Sequence, residues 1–240
     1  PAFAVAQAKT AAVDMAKLVN EALALAIPLY QDYDKKKVQT ICGIEEQVDK
    51  YEDALGTYLV RLCAKPLAEH DNHVLTTLLH SISDLERMAD HAVNLAQSAQ
   101  RMKKEKTTFS KKAQAELQLF SAAMNEILSL TFEVFENENA TEAARIEQLE
   151  EVIDDLKEEI RARHIRRLAK GKCTIELGFA LTDIVTNYER IADHCSNIAV
   201  AVIQMDEKEH DVHKYLGQVK TQDPQFAQMY RTYKEKYLLD

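Results

Sequence analysis

The 240-residue chain is 46% hydrophobic and 29% charged, and its 30 Lys and Arg against 39 Asp and Glu give a formal net charge of −9. The 5 Gly and 4 Pro make up about 4% of the chain, where average usage is about 12%, so turn residues are too few for an all-β fold. General nucleic-acid binding is also disfavoured, because phosphate contacts need a basic face.

Apolar residues recur at helical spacing along most of the chain and predict six long helices. The predicted helices cover about 2–33 with a kink at Pro28, 36–64, 67–103, 110–136 behind a Ser110 cap, 141–171 behind a Thr141 cap, and 174–206. The connections between them are short, so consecutive helices are expected to be antiparallel neighbours.

The chain contains an internal repeat. Residues 85–94, LERMADHAVN, align with 188–197, YERIADHCSN, at an offset of 103 and with six of ten positions identical. Residues 44–49, IEEQVD, align with 149–154, LEEVID, at an offset of 105. These matches predict an all-α fold built by tandem duplication of a three-helix bundle. The predicted units are 1–105, 106–206 and a tail over 207–240.

The tail has no counterpart in the duplication. Asp223 and Pro224 form a good cap and first-turn pair, which predicts a short C-terminal helix. Its apolar stripe packs on the bundles or forms a partner-binding face. The stripe consists of Phe226, Met229, Tyr230, Tyr233 and Tyr237.

Each repeat carries two Glu-x-x-x-Asp pairs, one on its second helix and one on its third. Each pair places two carboxylates one turn apart on the same helix face. If the two helices are neighbours, four repelling carboxylates meet in each repeat, and a polyvalent cation would remove the repulsion. Oxygen ligands favour hard ions such as Mg²⁺, Ca²⁺, Mn²⁺ or iron over zinc. The predicted metal ligands are Glu45, Asp49, Glu86 and Asp90 in the first repeat and Glu150, Asp154, Glu189 and Asp193 in the second.

Neighbouring residues leave alternatives open. Arg87 and Arg190 each adjoin a Glu and can neutralise the acids, which would make the chain a metal-free scaffold. His91 and His194 either ligate the metal or bond to a neighbouring helix. Side-chain amides at Asn94 and Asn197 can orient the carboxylates or hold a ligating water.

Enzyme signatures are missing from the sequence. The repeats lack the Glu-x-x-His motifs of a ferritin-like di-iron enzyme. There is no phosphate-cradling glycine loop, nucleophile elbow or zinc-spaced Cys/His set. The sequence therefore predicts a protein that is not an enzyme.

Basic residues are concentrated where antiparallel helices would bring one end of the molecule together. They are Lys35, Lys36, Lys37, Arg101, Lys103, Lys104, Lys106, Lys111, Lys112, Arg161, Arg163, Arg166, Arg167, Lys170 and Lys172. Cations at helix C-termini are favoured by the helix dipole alone. The functional alternative is contact with an anionic membrane surface or a phosphate-bearing partner.

Cysteine usage and hydropathy bear on the compartment. Cys42, Cys63, Cys173 and Cys195 form no C-x-x-C pair, which favours reduced thiols in a cytosolic protein. No stretch approaches the roughly 18 apolar residues of a membrane span, and no signal peptide is present. Together with a start at Pro1, these features suggest an excised or processed soluble piece.

The four acidic motifs, in order over about residues 3–206, resemble those of the PhoU family. The resemblance implies two three-helix bundles side by side, with multinuclear metal sites, iron and zinc included, on the faces that carry these acids. It also implies regulation of phosphate uptake. The Pro1 start and the Tyr-rich tail most resemble the cytoplasmic C-terminal PhoU-like domain of sodium-dependent phosphate cotransporters, at the inner face of the cell membrane.

Three functional hypotheses follow. The first is a metal-binding regulatory domain whose partner is the membrane part of a transporter. The second is a free-standing PhoU-type regulator that links a phosphate importer to its sensor kinase, and the third is the metal-free scaffold. The oligomeric state stays open, a homo-oligomer included.

Overall fold

The computed structural model describes residues 2–206 and 224–240 of the chain. The described residues form seven α-helices and no strand, which confirms the predicted all-α fold of two three-helix bundles and a short C-terminal helix. The helices are α1 Ala2–Ala26, α2 Lys35–Cys63, α3 Glu69–Glu105, α4 Lys111–Asn137, α5 Ala140–Ala169, α6 Ile175–Asp206 and α7 Pro224–Lys236.

Polar caps fix where several helices begin. The Ser110 side chain accepts a hydrogen bond from the Ala113 N–H at 3.3 Å, as predicted. The Thr141 cap is wrong: the Asn139 side chain accepts from the Glu142 N–H at 3.2 Å, and α5 begins one residue after that cap. Asn is among the strongest N-cap residues, because its short side-chain carbonyl reaches the free N–H groups of the first turn.

Pro28 ends α1 instead of kinking it. The α-helix stops at Ala26, and a 3₁₀ turn over Ile27–Tyr30 follows. Proline has no N–H to donate to the fourth residue before it, and its ring collides with that carbonyl, so the wider helix cannot continue. The tighter turn still buries Ile27 and Leu29 in the core.

The two bundles share one hydrophobic core. Helices α1–α3 pack together, α4–α6 pack together, and α3 lies along α6 in the most extensive contact between any two helices of the described ranges. A continuous cluster of buried apolar residues runs through both bundles. The division at residues 105 and 206 therefore stays a prediction. In the two described ranges, every helix is too short or too polar to cross a bilayer.

Helix α7 packs on α5, so the predicted stripe is mainly a packing face. Phe226, Tyr233 and Tyr237 are buried, whereas Met229 and Tyr230 are partly buried. The Tyr237 hydroxyl bonds to the carboxylate of Glu126 on α4. The predicted Asp223 cap lies outside the described residues.

A Gly178→Ala substitution is expected to destabilise the chain by about 1 kcal/mol, measured by chemical denaturation. A Cβ at position 178 would lie 2.8 Å from Nε2 of the buried His164, and overpacking of this kind costs about 1–3 kcal/mol. Ala has a higher helix propensity than Gly, which offsets about 1 kcal/mol of that cost. Gly43→Ala in α2 meets nothing within 4 Å and should be stabilising. If Gly178→Ala stayed destabilising in a His164→Ala background, the steric explanation would fail.

Candidate functional site

All eight predicted ligands lie at the edge of a buried stripe. Each directly follows a buried apolar residue, as in Ile44–Glu45 and Leu85–Glu86. One residue along an α-helix turns the side chain by about 100°, so the carboxylates lie beside the buried stripe, and only Glu150 among them is buried. The acids hold the same position relative to the buried stripe on both helices of a packed pair. The acids of α2 therefore lie alongside those of α3, and the acids of α5 lie alongside those of α6.

The repeat-one cluster comprises Glu45, Asp49, Glu52, Glu86 and Asp90. Burial and the nearby carboxylates of Asp49 and Asp90 raise the pKa of Glu45. Burial, Asp53 and Asp49 raise the pKa of Glu52. The sequence prediction does not include Glu52, one turn beyond Asp49, because the equivalent position of the second repeat is not acidic.

Glu86 is the most perturbed carboxyl of this cluster. Burial, followed by the charges of Asp90 and Glu52, raises its pKa to about 7. Arg87 offsets part of this repulsion, with Nε 3.9 Å from Glu86 and Nη1 3.5 Å from Asp90. One exposed guanidinium thus pairs with two of the five carboxyl groups, and the cluster keeps a net negative charge.

The repeat-two cluster comprises Glu150, Asp154, Lys157, Glu189 and Asp193. Burial and the charges of Glu189 and Asp193 raise the pKa of Asp154 to about 6. Burial and Glu189 raise the pKa of Asp193, and a hydrogen bond with Glu150 opposes them. All four predicted acids of this repeat therefore interact across α5 and α6.

The two clusters differ at one position. At the 105-residue offset, Lys157 occupies the place of Glu52. Its Nζ lies 2.8 Å from Glu189 Oε1, with side chains only 15% and 22% exposed. The second repeat therefore contains an ammonium group among its acids, whereas the first has a further carboxylate there. Arg190, the counterpart of Arg87, forms no ion pair with another described residue.

The histidines belong to the interface between the repeats. His91 Nδ1 lies 2.8 Å from Asn187 Oδ1, and His194 Nδ1 lies 2.8 Å from Asp84 Oδ1. Their rings are 5.6 Å apart, and burial lowers the pKa of His91. Both rings therefore form the predicted bond to a neighbouring helix, and His194 also lies close enough to Asp193 to lower the pKa of that carboxyl.

The side-chain amides do not orient the carboxylates. Asn94 Nδ2 donates to Asn187 Oδ1 at 3.3 Å, and Asn197 Nδ2 donates to Asp84 Oδ1 at 3.0 Å. Both amides therefore bond across the α3–α6 interface and do not orient Asp90 or Asp193.

The donor chemistry fits a hard cation better in the first repeat than in the second. Across residues 2–206 and 224–240, no three His, Cys, Asp or Glu side chains converge closely enough to hold a metal ion. The repeat-one cluster thus offers oxygen donors with a raised pKa, but not a preformed coordination geometry.

Glu86→Gln should reveal the repulsion as a pH-dependent gain in stability. The pKa of Glu86 rises from 4.5 to about 7 on folding, so the folded chain binds its proton more tightly, and stability falls as pH rises through this window. Denaturation of chelator-treated protein should show no gain for Glu86→Gln near pH 4 and about 2 kcal/mol near pH 8. The control is Glu133→Gln at an exposed position on α4, and its effect on stability should be the same at both pH values. A constant gain from Glu86→Gln would contradict this account.

Comparison with known proteins agrees with this architecture. The PhoU domain profile matches residues 12–99 and 117–202. The phosphate-specific transport system accessory protein PhoU homolog 1 of Thermotoga maritima is 24% identical over 191 residues, which cover 79% of this chain and 81% of that protein. The PhoU homolog of Aquifex aeolicus is 24% identical over 211 residues, 88% of this chain and 94% of the relative.

Two solved structures share the fold. The crystal structure of PhoU from Pseudomonas aeruginosa has a TM-score of 0.79 at 21% identity and covers 85% of this chain and 97% of that one. PhoU from Streptococcus pneumoniae has a TM-score of 0.74 at 23% identity, over 85% and 96% of the two chains. Since the profile matches well over half of the chain, in two segments that follow the two repeats, the chain belongs to the PhoU family.

Proposed function

We propose that this chain is a non-enzymatic, PhoU-type regulator of a phosphate-transport system. The observation that carries the proposal is the family match over both three-helix repeats. Relatives matched over most of their own length are named as accessory proteins of a phosphate-specific transport system. The partner proposed for this chain is therefore phosphate-transport machinery.

These relatives favour the free-standing hypothesis over the cotransporter-domain hypothesis. The chain spans 81% and 94% of the Thermotoga and Aquifex proteins, which are named as accessory proteins and not as parts of a cotransporter. The Tyr-rich tail, which suggested a cotransporter domain, lies outside the two matched segments. In the described structure its helix packs on α5.

Cation binding by the repeat-one cluster is part of the proposal. Glu45 and Asp49 on α2 would hold the ion together with Glu86 and Asp90 on α3. A bound ion supplies concentrated positive charge between the two helices. The four carboxylates supply oxygen donors, which suit Mg²⁺, Mn²⁺, Ca²⁺ or iron better than zinc. Arg87, on the exposed side, limits the repulsion when no ion is bound.

The repeat-two cluster is proposed to bind cations more weakly. Glu150, Asp154, Glu189 and Asp193 provide the same donors, but the ammonium group of Lys157 already neutralises part of their charge. An incoming cation would have to displace the Lys157–Glu189 ion pair. The two repeats would then differ in affinity although they share a fold.

Phosphate uptake in cells tests the proposed function. Deleting the coding region in the source organism should change the dependence of uptake rate on external phosphate, and expression of the intact chain should restore it. An Asp90→Asn variant should restore it less well than Asp14→Asn, which changes an exposed aspartate on α1, away from the cluster. Unchanged uptake after deletion, with the chain verified as expressed in the parent, would contradict the proposal.

A further inference from the structure

A strongly basic groove lies at one end of this net-acidic molecule. It is formed by the N-terminus of α4, the C-terminus of α5 and the α5–α6 turn, and has a volume of about 560 Å³. Residues 161–172 contain six Lys and Arg and no Asp or Glu. Lys111 and Lys112 of α4 therefore meet Arg163, Arg166 and Arg167 of α5 there, whereas Arg161 does not line the groove.

A buried carboxylate fixes two of the guanidinium groups. Glu116 Oε1 and Oε2 each accept a 2.8 Å hydrogen bond from Arg167, and Arg163 Nη1 lies 3.7 Å from the same carboxylate. By contrast, the exposed lysines at 111, 112, 170 and 172 form no ion pair with another described residue. Arg163 and Arg166 also pair with Glu159 Oε1, at 2.8 and 3.3 Å, so the uncompensated charge of the groove is that of the four rim lysines.

The helix dipole explains only part of this charge. Cations are favoured at helix C-termini, which accounts for Arg166 and Arg167 at the end of α5. The same dipole disfavours cations at a helix N-terminus, yet α4 begins with Lys111 and Lys112. Local helix energetics therefore do not account for the whole cluster.

Exposed apolar side chains border the same turn. Ile165 is 63% exposed, Ile175 is 62% exposed and Phe179 is 66% exposed, and Leu168 is also exposed. These four make up half of the eight large exposed hydrophobic residues of the described ranges. A site for a small anion would not need them. Basic side chains beside exposed apolar ones are typical of a surface that inserts shallowly into the interface of an anionic bilayer.

We propose that the tip of the α5–α6 hairpin docks on an anionic membrane surface. Lys111, Lys112, Lys170 and Lys172 contact lipid phosphates, and Ile175 and Phe179 enter the interfacial layer. A chain of net charge −9 would otherwise be repelled by such a surface, so attachment needs a local basic face. The proposal does not depend on the phosphate-regulation function or on cation binding.

The alternating direction of the helices places further lysines at this end. The α1–α2 and α3–α4 connections lie at the same end of the bundles as the α5–α6 turn, because consecutive helices are antiparallel. Tyr30 and Phe109, one from each connection, pack with their rings 6.2 Å apart. Lys36 and Lys104 are exposed near these connections and would widen the basic face.

Vesicle flotation with the purified full chain tests the proposal, with phosphatidylcholine vesicles compared with vesicles that also contain phosphatidylglycerol. The chain should bind only the anionic vesicles. Lys170→Gln/Lys172→Gln should weaken binding about 30-fold, since each basic side chain near the surface contributes about fivefold. Phe179→Ser should weaken it about tenfold. Arg61→Gln/Lys65→Gln and Val60→Ser, exposed changes at or near the α2–α3 turn at the other end, should bind as the parent does.

Three results would overturn the proposal. Failure of the parent chain to float with anionic, protein-free vesicles would leave a protein as the partner of this surface. Equal losses in the tip and control variants would mean that the contact is nonspecific. Displacement by inorganic phosphate at constant ionic strength, with Phe179→Ser binding normally, would indicate a soluble-anion site. The vesicle assay uses no transport protein, so none of these three results bears on the proposed role in phosphate uptake.

Discussion

Lys157→Gln is expected to destabilise the cation-free chain by about 3 kcal/mol, because removing one partner of a largely buried ion pair leaves its charge uncompensated. The ammonium group lies 2.8 Å from Glu189, and both side chains are less than one-quarter exposed. Asp154 and Asp193, which Lys157 also stabilises in their charged forms, would lose the same cation. The expected loss is therefore large for a single polar side chain.

Urea denaturation with and without Mg²⁺ or Mn²⁺ measures this effect. Added cation should recover most of the loss in Lys157→Gln, since it would replace the missing ammonium group. Lys17→Gln is the control, because Lys17 is 63% exposed and its pair with Glu136 at 3.3 Å should contribute less than about 1 kcal/mol. Similar losses for both variants, or no recovery with cation, would mean that Lys157 does not neutralise the cluster.

Tyr188→Ala should destabilise the chain by about 4 kcal/mol, because it removes a fully buried aromatic side chain that joins the repeats. The ring packs edge-on against Phe120 at 5.2 Å. The hydroxyl donates to the Ile27 carbonyl at 3.0 Å and lies 3.0 Å from Ser121 Oγ. Tyr188 thus connects α6 to the 3₁₀ turn of the first bundle and to α4.

The matched variant Tyr188→Phe separates the hydroxyl from the ring. It should cost about 1–2 kcal/mol, because the buried Ile27 carbonyl and Ser121 hydroxyl lose a partner. Thermal denaturation should remain a single transition in both variants, since one core runs through both bundles. Two separate transitions in the parent chain would contradict the shared core.

Much of the architecture could be predicted because the sequence repeats itself. Two matches at nearly one offset identified equivalent helices, and the acids at equivalent positions proved to lie alongside each other across α2–α3 and α5–α6. Helix ends were less accurate. Asn139 and Thr141 are both good caps two residues apart, and only the path of the turn decides between them.

The features that were missed are those in which the repeats differ or meet. Glu52 and Lys157 occupy one position with opposite charge, so the internal repeat does not mark either of them as part of an acidic motif. The pairing of His91 with Asn187 and of His194 with Asp84 depends on how α3 lies along α6. The exposed apolar residues of the tip recur at the same helical spacing as buried residues do. Only their place at the end of the bundle distinguishes them from core residues.

The most direct test of the proposed difference between the clusters is a calorimetric titration of the chelator-treated full chain with Mn²⁺, using Asp90→Asn and Asp193→Asn as matched variants. The account predicts a higher-affinity site of about one ion per chain that Asp90→Asn abolishes and Asp193→Asn retains. Binding that survives Asp90→Asn but not Asp193→Asn would contradict it. Less than about one bound ion per parent chain would favour the metal-free scaffold.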